Sequence, residues 1–188
     1  KARYGSAGSL YPVQVYVCVA PGRVEGLAGG VYYYHPLEHA LARVGAVWPL
    51  TPERAPSNEG IAAGAAFAVV LVAHMAGIAP LYGALSERFC LIEAGLICQV
   101  LEESAPGLGI GLCHVGSVNF AGLERDFGLA AGDMYLHALF GGARPDHVAL
   151  AALPGLLRAH CAALLPGYMV PAAIRLRDGL PLGPNGKI

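Results

Sequence analysis

Phe67-Ala-Val-Val-Leu-Val-Ala73 is the densest apolar segment of this chain, and it lies inside a stretch, Ile61 to Leu85, that carries no Asp, Glu, Lys or Arg. That stretch exceeds the length, about 20 apolar residues, that spans a bilayer. Against a membrane span, Ala and Gly dilute its hydrophobicity, and His74 and Pro80 interrupt it. The β-branched content and length of residues 67–73 instead match a strand buried on both faces near the centre of a sheet. The expectation is a globular domain with no membrane segment.

Working outward, Val13, Val15, Val17 and Val19 alternate with Gln14, Tyr16, Cys18 and Ala20, the two-residue period of a strand whose two faces are both largely apolar. Pro21-Gly22 ends it. Val31-Tyr-Tyr-Tyr34, a turn at His35-Pro36 and Ala40 to Val44 predict a hairpin, and Trp48 to Asn58, with its three prolines, predicts an exposed connection. Leu85, Phe89, Ile92, Leu96 and Val100 recur at helical spacing, with Glu87, Arg88, Glu102 and Glu103 elsewhere on the wheel. They predict a helix from Leu85 to Val100 that Pro106-Gly107 stops. Leu108 to Val115 reads as a short strand or loop, and Asn119 as the cap of a small helix through Phe127. Met134 to Phe140 reads as a strand ending at Gly141-Gly142. A composition shift near Arg144-Pro145-Asp146 marks a boundary, beyond which Leu153 to Leu165 reads as a helix with Pro154 in its first turn. Strands and helices are interspersed, so the class is α/β or α+β, with helices covering a sheet.

Charge and composition exclude several functions. Lys and Arg number 12 against 13 Asp and Glu, a net charge of −1 with His neutral, and the lysines are Lys1 and Lys187 alone. Phosphate neutralisation along a nucleic acid needs clustered cations, so nucleic-acid binding is not expected. At 55% hydrophobic and 13% charged, the chain has the composition of a packed core and not of a disordered segment. Five cysteines, at 18, 90, 98, 113 and 161, form no CxxC pair. They predict reduced, mostly buried thiols and a cytoplasmic setting. The start at Lys1 without Met, and the stop at Lys187-Ile188 just after Pro184-Asn185-Gly186, predict a piece of a longer polypeptide.

Three local patterns invite chemistry. His35-Pro-Leu-Glu-His39 spells a zinc-peptidase motif, which needs both histidines on one helix face; Pro directly after a strand makes it a hairpin turn instead. Cys113-His114 sets a thiol beside a base, yet adjacent strand residues point to opposite faces, so Cys113 reads as a core thiol. Gly107-x-Gly109-x-Gly111 follows a helix and precedes an extended segment, the reverse of a dinucleotide fingerprint. Those glycines serve close backbone packing or the approach of a flat ligand. At the N-terminus, Lys1-Ala-Arg3-Tyr-Gly-Ser6-Ala-Gly8 combines cations, a hydroxyl and glycines in a way that can hold a phosphate.

Arg3-Tyr-Gly-Ser6-Ala-Gly8-Ser-Leu-Tyr11-Pro12-Val-Gln14 resembles the opening motif of the flavin-dependent azoline oxidases related to nitroreductases, found in ribosomal peptide cyclisation complexes and as oxidase domains of nonribosomal peptide synthetases. Later features are similar in the same order: Val31 to Pro36 with His39, Leu81-Tyr82-Gly83, Phe89 to Gly95 with Gln99, and Gly107 to Gly116. The tail, Leu164-Leu-Pro166-Gly-Tyr168-Met-Val-Pro171 followed by Leu180-Pro-Leu182-Gly-Pro-Asn185-Gly-Lys187, resembles the closing motifs of an amino-acid-activating adenylation domain.

The resemblance implies an α+β, nitroreductase-like three-layer sandwich, a mixed β-sheet with helices on both faces, over residues 1–144, and a partial adenylation subdomain over 145–188. It implies an FMN enzyme that oxidises a thiazoline or oxazoline, tethered to a carrier protein, to the thiazole or oxazole. A homodimer is implied too, with the Leu85 to Val100 helix at its interface. By motif position, Arg3 and Ser6 contact the flavin within the segment that includes Gly8, Lys1 and Arg144 are phosphate partners, and the Val115-Gly116 backbone approaches the reactive flavin edge. Tyr82 matches the proton-transfer tyrosine, although Leu81 stands where peptide-cyclising relatives have Lys. Asn185, Gly186 and Lys187 match the adenylation lysine motif. A general nitro or quinone reductase and a flavin-free docking module are the alternatives.

Overall fold

The computed structural model describes residues 3–144 and 153–175. The chain divides into two compact units, Lys1–Arg144 and Pro145–Ile188. The first is built on a six-stranded sheet of order β3-β2-β1-β4-β6-β5, with β1 Val13–Val19, β2 Gly30–His35, β3 Ala40–Gly45, β4 Phe67–Ala73, β5 Ile110–Val115 and β6 Met134–Ala143. β4 is central, and every residue from Ala68 to Ala73 is buried. Its alternating side chains feed two cores: Ala68, Val70 and Val72 join Tyr16 and Cys18 on one face, while Val69, Leu71 and Ala73 join Val13 on the other. That two-sided burial is why residues 67–73 form a continuous apolar run rather than an alternating one.

The two faces are covered differently. On one, α3 (Ser86–Ser104) lays Cys90, Ala94, Ile97 and Cys98 against β1, β4 and β6, preceded by the short α2 (Ala79–Tyr82). On the other, Leu50, Ala55, the short α1 (Glu59–Gly64) and the loop residues Phe120, Leu123 and Phe127 close over Tyr16, Val31 and Phe140. No helix among the described residues is long and apolar enough to cross a membrane. In the second unit, α4 (Leu153–Leu164) has Pro154 in its first turn and no buried residue.

Several expectations need correction. All five strand pairings are antiparallel, not mixed. Residues 119–127 form successive turns and not a helix, because Gly122 takes a φ of +80°. Phe120, Leu123 and Phe127 keep helical spacing only because each turn returns an apolar side chain to the same core. Gly141-Gly142 continue β6 instead of ending it: a Cβ on Gly141 would collide with the Phe67 ring lying across it. The Leu85 to Val100 helix meets the sheet through a face that the spacing did not single out. Leu85, Ile92 and Leu96 are exposed, whereas the sheet-facing side is made of smaller residues.

Among those sheet-facing residues is Glu93, 2% exposed. One carboxylate oxygen accepts the Val13 N–H at 3.3 Å, and the other has no partner among the described residues. Burial pushes its pKa above the ordinary carboxylate range, with the Ser6 hydroxyl and Val13 N–H pulling the other way. A carboxyl whose folded pKa is raised contributes stability that is full below its unfolded value, about 4.3, and is lost as pH rises through the folded value. Glu93→Gln keeps an acceptor for Val13 and removes the charge. Thermal melts should give the variant a higher Tm than the parent at pH 8, with the gap closing toward pH 4; an unchanged gap across that range would contradict the raised pKa.

Candidate active site

Antiparallel register sets the geometry of the site. Val13 pairs with Ala73, Ala73 with Met134, and Val115 with Ala138, so the segment entering β1, the segment leaving β4 and the segment leaving β5 lie toward one end of the sheet. Phe67, Gly141 and Ile110 mark the other end. Loops at a sheet end carry chemistry because the strands beneath hold them rigidly.

The entering segment is a tightly hydrogen-bonded loop. Ser6 Oγ accepts the Tyr11 N–H at 2.8 Å, Ser9 N–H donates to the Ser6 carbonyl at 3.1 Å and Leu10 N–H to the Ala7 carbonyl at 3.1 Å. Gly8, Ser9 and Tyr11 hold φ values of +57°, +57° and +50°. Left-handed non-glycine residues persist only where surrounding contacts over-determine them. The amides of Ser9, Leu10 and Tyr11 are consequently spent within the loop and are not offered to an anion. Arg3 is exposed and outside this network.

Gly8 meets Tyr82 across this loop. A Cβ at Gly8 would lie 2.9 Å from the Tyr82 Oη, so glycine is what allows the hydroxyl to sit there. Tyr82 closes α2 and packs edge-on to Phe89, ring centroids 4.9 Å apart. Tyr4 is nearby in sequence but is no base: burial, with Glu93 adding, pushes its pKa up to about 12. Val115 is buried, whereas Gly116 is exposed with nothing within 4 Å of where its Cβ would be.

Arg144 is not brought to this end. Its N–H donates to the Gly109 carbonyl at 2.7 Å beyond the start of β5, and it lines, with Glu102 and Leu112, a shallow cavity of about 310 Å³. Strand β5, rising about 3.3 Å per residue, separates it from Val115. Lys1, Asn185, Gly186 and Lys187 lie outside the described residues.

Sequence reasoning missed one pair at the site end. His74 follows β4 and Asp133 precedes β6, and their side chains meet at 2.9 Å through His74 Nδ1. His74 N–H also donates to the Pro12 carbonyl at 2.9 Å, and Asp133 accepts the Ala130 N–H at 3.0 Å. The partners are 59 residues apart, so no local spacing signals them.

The decoy motifs resolve as expected for His35 to His39, a turn in which the Glu38 N–H donates to His35 Nδ1 at 3.2 Å. Cys113 differs: it is half-buried and donates weakly to the His114 carbonyl, not packed in the core. Gly107, Gly109 and Gly111 are not close-packed, since a Cβ at each would meet nothing within 4 Å.

Gly8→Ala places a methyl on a left-handed residue and against the Tyr82 hydroxyl, and should destabilise the chain by about 1–2 kcal/mol in urea unfolding. Gly5→Ala, with open space around it, should cost under about 0.5 kcal/mol. Equal losses would mean that Gly8 does not constrain Tyr82.

The sequence and the fold have relatives. Over 128 residues, 67% of the chain, the sequence is 30% identical to indigoidine synthase of Dickeya dadantii (strain 3937), and the match spans 8% of that protein. A 43-residue stretch, 23% of the chain, is 54% identical to malpinin synthetase of Mortierella alpina and spans 1% of it. The chain thus corresponds to a small part of each of these proteins. Among solved structures, the E. coli microcin synthetase McbBCD complex with truncated pro-MccB17 bound superposes with a TM-score of 0.66 at 24% identity, covering 77% of this chain and 56% of that one, a likeness of fold. The nitroreductase family model matches residues 2–142, which take in α3 and every strand of the sheet except the last residue of β6. On that match, and on the architecture it covers, the chain belongs to the nitroreductase family.

Proposed function

We propose that residues 1–144 form an FMN-dependent oxidase that converts a carrier-protein-tethered thiazoline or oxazoline to the aromatic thiazole or oxazole within a nonribosomal peptide synthetase, and that residues 145–188 are the closing part of an adenylation domain. The observation that carries this reading is the Gly8–Tyr82 contact beside the start of β1, with the open Gly116 backbone leaving β5 toward the same sheet end. One relative is named a synthase, indigoidine synthase, and the other a synthetase, malpinin synthetase, which supports a biosynthetic setting.

With the loop amides already spent, a flat, anionic cofactor would rely on few side chains of this segment. Arg3 supplies a planar cation for a phosphate, and unobstructed main chain at Gly116 leaves room for a ring. Ser6, its oxygen already accepting from Tyr11, acts chiefly by holding the loop. Arg144 would have to serve from the far end of β5, which makes it the weakest member of the set. When bound, FMN accepts the two electrons that leave the azoline ring.

The chain's own task is to orient the ring and remove a proton. Tyr82 is the first candidate acceptor, held against Gly8 and Phe89. His74 is the second, because its Nδ1 contact with Asp133 orients the imidazole and leaves its other nitrogen for proton transfer. A homodimer through α3 completes the reading, since Leu85, Leu91, Ile92 and Leu96 leave an apolar stripe exposed on a helix whose other face is already packed.

The purified protein should show a flavin visible spectrum and release an FMN-sized ligand on heating. A folded, colourless protein that cannot be reconstituted with FMN would favour the flavin-free docking module. With flavin retained, Tyr82→Phe should slow thiazoline oxidation by about 10²-fold or more, the usual scale of general base catalysis. An unchanged rate in Tyr82→Phe with a comparable loss in His74→Asn would move the proton-transfer role to His74. In sedimentation experiments the parent should run as a dimer and Ile92→Glu as a monomer; identical behaviour would remove α3 from the interface.

A further inference from the structure

Away from that sheet end, between α3 and the edge strand, Cys98, His114 and His137 bring one sulfur and two ring nitrogens within 4.8 Å of one another. Three elements supply them: α3, β5 and β6. The pleat explains the meeting. His114 pairs with Leu139, so His137, two residues away on β6, is its diagonal neighbour on the face that α3 covers. Cys98 and Glu102 lie one turn apart on α3 and present to that same corner.

Hydrogen bonding further prepares the cluster. His114 Nε2 lies 3.1 Å from Glu102 Oε1, and His114 Nδ1 lies 2.7 Å from His137 Nε2. With its Nε2–H donated to the carboxylate, His114 turns an Nδ1 lone pair inward, which is the carboxylate–histidine arrangement that orients metal-binding imidazoles. Cys98 is 5% exposed, whereas His114 and Glu102 are exposed and give an ion access from solvent.

We propose that Cys98, His114 and His137 form a metal site for Zn²⁺, with Glu102 as the residue that positions His114. Mixed thiolate and imidazole donors suit this borderline ion. Tetrahedral coordination with bonds of about 2.0–2.3 Å sets donors about 3.3–3.6 Å apart, which small rotations of the two rings and the thiol achieve. On binding, the Cys98 thiol loses its proton to solvent, and the proton shared between the rings leaves His137 Nε2 for its Nδ1. Three protein ligands leave a fourth position for water. The ion fastens edge strand β5 to α3 immediately before Val115-Gly116, and its presence is independent of the oxidase reading.

The 188-residue chain should take up one equivalent of Zn²⁺ by calorimetry after treatment with chelator. Co²⁺ used as a probe should develop thiolate-to-metal charge-transfer absorption. Cys98→Ser should abolish that absorption, and Glu102→Gln should weaken Zn²⁺ binding about 10–100-fold, the usual effect of losing an orienting carboxylate. Should Cys98→Ser fail to fold by circular dichroism, His114→Asn, at an exposed position, decides the matter: uptake must fall while the spectrum of the fold stays unchanged. Absence of thiolate absorption in the parent overturns the site. Metal uptake unchanged in folded Cys98→Ser or His114→Asn overturns it too, as adventitious binding by other His and Cys side chains.

Discussion

Burial of β4 on both faces is the constraint on which the rest depends. A strand with Ala68 through Ala73 wholly out of water has to satisfy its backbone groups on each side, and does so by pairing with β1 over seven residues and with β6 over the same length. Those two pairings fix which ends of the neighbouring strands lie together. They put His74 against Pro12 and Asp133, and bring the exits of β4 and β5 to the sheet end from which β1 departs. The gathering of these segments at one end of the sheet is therefore a consequence of core register, and a slip of one residue would turn every side chain of β4 to the opposite face.

The second constraint is how closely α3 can lie on that strand. Its inner face is Ser86, Cys90, Glu93, Ala94, Ile97 and Cys98, mostly small, over β-branched residues of the sheet. Small side chains let the helix axis approach, and the approach is what brings Glu93 within reach of Val13 N–H and Cys98 toward the histidines of β5 and β6. Larger apolar residues at those positions would gain burial and lose both contacts.

Much of the fold was legible because β1 and β4 are apolar on both faces and turn residues bound the hairpin of β2 and the exposed β3. Residues 13–19, the hairpin at 30–45 and 67–73 were each readable from apolar content and turn residues alone. The helix was legible in extent but not in orientation. Leu85, Phe89, Ile92, Leu96 and Val100 formed the better stripe by hydrophobicity, yet packing chose the smaller residues, because a period identifies an apolar face without saying which neighbour it will meet. The Asn119 to Phe127 segment failed for a different reason, the left-handed Gly122, whose conformation a pattern of apolar positions does not encode.

The site was legible only where it is local. Arg3, Ser6 and Gly8 lie within one motif, and Tyr82 within another, so each could be singled out; the contact of Gly8 with Tyr82 could not, since it depends on how the loop before β1 meets α2. His74 with Asp133, and Cys98 with His114 and His137, join residues far apart in sequence and carry no spacing at all. In both clusters at least one member looked like an ordinary core or loop residue. What distinguishes them physically is that polar atoms from distant segments lie beside one another, with Asp133 and Cys98 largely out of water and so in need of partners. Of the two, the His74–Asp133 pair is complete as it stands, whereas the Cys98 cluster sets two ring nitrogens and a thiol facing one another, an arrangement that the proposed cation would satisfy at all three donors at once.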